Sequence, residues 1–180
     1  MPIKNIRKLA YLPMAALVLS GSTLFAASSE SAEASRLLGE VRSMAHELNR
    51  DAATLASYTR GRLSTKSHAD RLSRAKHNVN AIGDRLNSLQ TMKASVAPWQ
   101  QEAIDSLVPV AAKLASSTQA AIVHLNENPG QLFVPSYTGH LSVIAENADR
   151  MQESVNVFLD AAGAQDKLDG LRDKAAALRS

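Results

Sequence analysis

This chain of 180 residues contains no cysteine. That absence excludes disulfides, thiol catalysis, cysteine-ligated zinc, c-type haem attachment and a lipoprotein anchor through an N-terminal cysteine. An exported protein of this kind relies on its core alone for stability. Aromatic residues are also scarce, with one tryptophan, three tyrosines and three phenylalanines, and the Ala- and Leu-rich remainder is a helical rather than a sheet composition. No glycine-rich phosphate loop, G-x-S-x-G elbow or HExxH pair occurs. The carboxylates sit mostly at three- and four-residue spacings from Arg and Lys, the pattern of solvated helix faces. The sequence therefore predicts neither an enzyme nor a cofactor.

The N-terminus carries the clearest address. Lys4, Arg7 and Lys8 form a basic segment, a mostly apolar run follows from Leu9 to Phe25, and Ala26-Ala27-Ser28 offers small residues for a signal peptidase. Together these predict a cleaved signal peptide over 1–27 and a periplasmic or secreted protein. The alternative is an inner-membrane anchor through residues 9–27, since the run approaches the length of about 20 residues that crosses a bilayer. Pro13 and the polar stretch Ser20-Gly21-Ser22-Thr23 argue against spanning. Removing the leader subtracts three of the 20 Lys and Arg and none of the 17 Asp and Glu, so the mature segment is charge-balanced. A nucleic-acid-binding domain is normally basic, so nucleic acid is not an expected partner. The membrane is expected only as a route of export.

The rest, about 150 residues, is long enough for one domain with a sizeable core. Apolar positions recur at alternating threes and fours in four segments, predicting helices over about 31–60, 66–93, 98–126 and 135–162. Their stripes contain, for example, Leu37, Val41, Leu48 and Leu55; Leu72, Val79, Ile82 and Leu86; Ile104, Leu107 and Leu114; Leu141, Ile144, Met151 and Val155. Gly61 with Ser64-Thr65, Ala97-Pro98, and Asn128-Pro129-Gly130 mark short connections, which make successive helices antiparallel neighbours. The expected fold is all-α: an up-down-up-down antiparallel four-helix bundle over 28–163, with coiled-coil-like packing. Pro109 lies off the apolar stripe and predicts a solvent-facing kink in the third helix. Leu168, Leu171, Ala175 and Leu178 leave the phase of the fourth stripe, so 164–180 reads as a separate, weakly docked helical tail.

Matching positions by their distance from the loops brings candidate sites together. Asp51 and Lys76 fall at one height, with Ser117-Thr118 and Asn147 near it, forming a buried polar layer. Such a layer is either a satisfied salt bridge fixing register or the floor of a small-ligand site, which a ligand-sensing or envelope-stress accessory protein would use. His68, His124 and His140 converge toward the end holding the first and third loops, near Tyr58 and Tyr137. Three imidazoles are a possible zinc or copper set, although none of them is paired at chelate spacing on one helix. A b-type haem held by a His and a Met such as Met44 or Met151 is a weaker alternative, because core methionines explain those positions. Arg60, Arg62, Lys66, Arg71, Arg74 and Lys76 surround the first loop against Asp70 alone, a local excess able to hold an anionic group. The expected partner is accordingly an anionic envelope component or another envelope protein. Trp99, in the first turn of the third helix, is expected to cap the core.

Three segments, Ser67-His68-Ala69-Asp70, Pro98-Trp99-Gln100-Gln101-Glu102-Ala103-Ile104-Asp105 and Ala121-Ile122-Val123-His124-Leu125-Asn126, resemble a group of exported helical proteins of bacteria, chiefly acidobacterial. The resemblance spans the second to fourth helices. It implies export and an all-helical fold; that group has no assigned function, so it brings no catalytic or ligand residue.

Overall fold

The computed structural model describes the backbone of residues 21–179 and the side chains of residues 29–179. The side chains of the expected leader, residues 1–27, and of its cleavage site at Ala26-Ala27-Ser28 lie outside the described residues. Four helices carry the fold: α1 (Gly21–Arg60), α2 (Thr65–Met92), α3 (Pro98–Glu127) and α4 (Pro135–Ala177), with one 3-10 turn at Lys93–Ser95. No strand occurs among the described residues. Helix α1 packs on α2 and α4, and α3 packs on the same two, while the diagonal pairs scarcely meet. This is the ring of neighbours that short loops impose on a four-helix bundle.

The apolar stripes face inward as their spacing demands. Leu38, Leu48, Leu55, Leu72, Ile82, Leu89, Ile104, Leu107, Leu114, Leu141 and Ile144 are all fully buried. Each such side chain contributes roughly 2 kcal/mol when withdrawn from water. Met44, Tyr58, Ala111 and Phe158, the remaining stripe residues, are half-buried at its edges. Helix α3 is long and apolar enough to cross a membrane, but its stripe from Ala103 to Leu125 is buried against the neighbouring helices. Pro109 lies inside α3 on its exposed side.

Local chemistry sets the helix ends. Ser64 caps α2, its hydroxyl accepting from the Ser67 N–H at 3.3 Å. Proline opens both α3 and α4, where its missing N–H costs nothing. Gln100 is nearly fully buried. Its Oε1 accepts from the Ala97 N–H at 3.0 Å, and its Nε2 donates to the Ser31 carbonyl at 2.6 Å and to Ser35 Oγ at 2.9 Å. One side chain thus closes the start of α3 and fastens it to α1. Trp99 beside it packs half-buried on the core.

The tail is the main correction. Helix α4 does not end near Gly163 but continues unbroken to Ala177, and residues 164–179 are exposed throughout. The phase shift correctly marked where packing stops, but not a helix boundary. A glycine costs a helix only about 1 kcal/mol, whereas a proline costs about 3, and no proline occurs here. Exposed local pairs, Arg172 with Asp169 at 3.1 Å and Gln165 with the same carboxylate, run along the extension. About 15 residues of helix therefore project roughly 20 Å beyond the bundle.

Candidate functional site

Cross-helix hydrogen bonds fix the register of α1 against α4: Arg42 with Asn156, His46 with Gln152 and Asn49 with Asp149. Continuing that sequence places Asp51 level with Asn147. Asp51, Thr118 and Asn147 are all buried, so three helices do supply polar side chains to the interior. The Asp51–Lys76 pairing is not formed. Lys76 is exposed, and the cation on Asp51 is Arg71, with Nη1 2.7 Å from Oδ1. Arg71 is one position before the seam residue Leu72 and can reach back across the groove, whereas Lys76 follows the seam residue Ala75 on the outer side. The Tyr58 hydroxyl and the Asp51 carboxylate together raise the Arg71 pKa and hold its guanidinium charged.

This ion pair floors a cleft of about 240 Å³ between α1 and α2, which Glu47, Arg50, Thr54 and Arg74 complete. Because Arg71 and Asp51 neutralise each other, Arg50 and Arg74 face Glu47 as a net positive pair. Lys66 is taken by Asp70 at 2.8 Å, while Arg50, Arg60, Arg74 and Lys76 form no ion pair among the described residues. The basic stretch thus divides into two compensated cations and a set of free ones. Arg50, on the α1 side, escaped the sequence reading because it precedes Asp51 on the flank of its seam.

The second cluster lies where the first and third loops meet. Helix α1 ends with the Arg62 N–H donating to the Thr59 carbonyl at 3.3 Å and the Leu63 N–H to the Tyr58 carbonyl at 3.0 Å. That is a Schellman closure, and Arg62 holds its left-handed position with φ 49°. Glycine usually occupies this place; a longer side chain there carries strain of about 1 kcal/mol or more. From it the guanidinium stacks 5.5 Å above the Phe133 ring of the third loop. Thr65 Oγ1 donates to the Pro129 carbonyl at 3.0 Å, tying the two loops together.

Beneath the loops, His68 is fully buried and its Nδ1 lies 3.0 Å from the Tyr137 hydroxyl. Its ring meets Tyr58 edge-on at 5.7 Å and Tyr137 at 5.6 Å, and Tyr137 meets His124 at 5.3 Å. Burial lowers the His68 pKa below the ordinary imidazole value; the nearby Tyr58 backbone offsets this only in part, and Nε2 has no hydrogen-bond partner of good geometry among the described residues. Burial likewise raises the Tyr137 pKa. The structure brings together His68, His124, Tyr58 and Tyr137 as expected, but His140 makes none of these contacts. His124 donates from Nε2 to the Gln131 carbonyl at 2.9 Å. Among the described residues no three metal-ligating side chains come together.

Comparison with known protein families, with curated proteins and with solved structures finds no match for this chain.

Proposed function

We propose that this is an exported, non-enzymatic helical-bundle protein of the cell envelope. It acts by binding an anionic envelope component along the α1–α2 face near the first loop. The carrying observation is the pair Arg50 and Arg74, free of ion pairs among the described residues and set around a cleft whose floor is already neutralised by Arg71 and Asp51. A braced floor with a net positive rim suits a phosphate or carboxylate that brings its own charge. The leader-like N-terminus and the resemblance to exported bacterial helical proteins support the envelope location. The buried imidazole of His68 meets a tyrosine rather than a nucleophile or carboxylate, which favours binding over catalysis.

Binding to anionic phospholipid vesicles and to an anionic cell-wall polymer, measured in parallel across a salt series, tests the reading. The expected result is attachment to one of them that falls steeply with salt, since exposed charges are screened beyond about 8 Å at physiological ionic strength. The double variant Arg50→Glu, Arg74→Glu should abolish it. Unchanged binding by that variant would reduce the patch to a solubilising rim.

A further inference from the structure

The loop cluster encloses a second cleft, of about 160 Å³, between the ends of α1 and α2 and the third loop. Tyr58, Leu63, Leu132 and Phe133 supply its apolar walls, His68 its inner side and Arg62 its rim. An apolar cavity of about 150 Å³ takes one benzene ring, so this volume admits a single ring and not two fused ones.

The polar groups select the ring's substituents. Among the described residues no other acceptor takes the Tyr137 hydroxyl proton, so it goes to His68 Nδ1, and Nε2 of the neutral ring carries the remaining proton. That buried N–H makes no hydrogen bond among the described residues; the Tyr58 carbonyl near the ring accepts from the Leu63 N–H, and leaving a buried donor unpaired is costly in a native core. At the exposed rim of the cleft stands the Arg62 guanidinium, a rigid fork suited to a carboxylate. It is held there by a left-handed backbone that glycine would adopt with less strain. His68 Nε2 has no accessible surface in this structure, so a ligand reaches it only when the exposed wall side chains Phe133 and Leu63, 57% and 43% exposed, swing aside.

We propose that this cleft binds a small monocyclic aromatic carboxylate. The ring lies against Tyr58 and Leu132, the carboxylate sits on Arg62, and a hydroxyl or carbonyl oxygen on the far side accepts from His68 Nε2. This site is separate from the α1–α2 cleft and does not depend on it.

The probe is 4-hydroxybenzoate, with benzoate and naphthoate as controls. Binding is followed by calorimetry and by long-range ¹H–¹⁵N spectra of the His68 ring. The hydroxylated acid should move the Nε2 resonance at millimolar concentration, benzoate should bind more weakly for lack of the acceptor, and naphthoate should not enter. Arg62→Gly should weaken binding about tenfold or more by removing a charge-assisted contact, while leaving the fold at least as stable because the turn loses its strain. Arg74→Glu should leave binding intact whatever it does to the envelope interaction. A His68 ring that ignores all three acids, or undiminished binding in Arg62→Gly, would overturn the proposal.

Discussion

The Arg71–Asp51 pair makes an asymmetric prediction about stability. The Asp51 side chain is 6% exposed and that of Arg71 24%, so removing the cation strands a carboxylate that is largely withdrawn from water. Removing the anion leaves a guanidinium that can swing outward. Breaking a buried pair costs about 3–5 kcal/mol, and the open cleft beside this one places Arg71→Met near the lower limit, about 3 kcal/mol. Met and Arg have similar helix propensities, so the loss reports on the pair rather than on α2. Asp51→Asn keeps an acceptor for Arg71 and should cost only about 1–2 kcal/mol. Replacing both, as Asp51→Leu with Arg71→Met, should cost less than the two single losses combined, because neither residue then strands the other. Urea titration with an unchanged m value is the assay. For a chain of this size about 3 kcal/mol corresponds to a fall in Tm of roughly 6–12 °C. The reasoning fails if Arg71→Met unfolds within about 0.5 kcal/mol of the parent, the range expected of an exposed substitution. It fails equally if Asp51→Asn is the more damaging change.

Two further perturbations follow from the same structure. Because burial lowers the His68 pKa, the unfolded chain binds this proton more readily than the native one. The neutral imidazole therefore contributes stability that is complete above the ordinary imidazole pKa and is lost as pH falls below it toward the lowered native value. The difference in unfolding free energy between the parent and His68→Gln should be flat above about pH 7 and shift in favour of the variant on acidification; a pH-independent difference would contradict a buried neutral ring. In α3, Pro109 is exposed and cannot donate a backbone hydrogen bond. Pro109→Ala should raise stability by about 1–3 kcal/mol, read as a higher urea midpoint, and a loss would mean that α3 requires the proline.

The helices were legible because burial imposes a period, and a period survives in a single sequence. Residues such as Leu72, Val79, Ile82 and Leu86 could satisfy only one face. The end of α4 was not legible in the same way, since loss of the stripe reports loss of packing and says nothing about whether the backbone stays helical. Asp51, Thr118 and Asn147 were recognisable as interior polar residues because each occupies a seam position. The partner of Asp51 was not, because the choice between Arg71 and Lys76 depends on which side of the seam a long side chain leaves the helix, and height alone does not encode that.

The loop cluster shows the same limit from the other side. His68 and Tyr137 each fall on a stripe, so their meeting follows from the bundle. The Arg62–Phe133 stack follows from nothing periodic: it needs the left-handed turn after α1 and the path of the Asn128–Val134 loop at once. The bundle end thus joins a part fixed by periodic packing, the buried imidazole and its tyrosine, to a part fixed by two loops, the guanidinium and its exposed ring. A small ligand entering that cleft would touch both parts. Changes in either loop would therefore retune what the cleft accepts while the four-helix core beneath stays as it is, because none of the residues that form its rim belongs to a packed stripe.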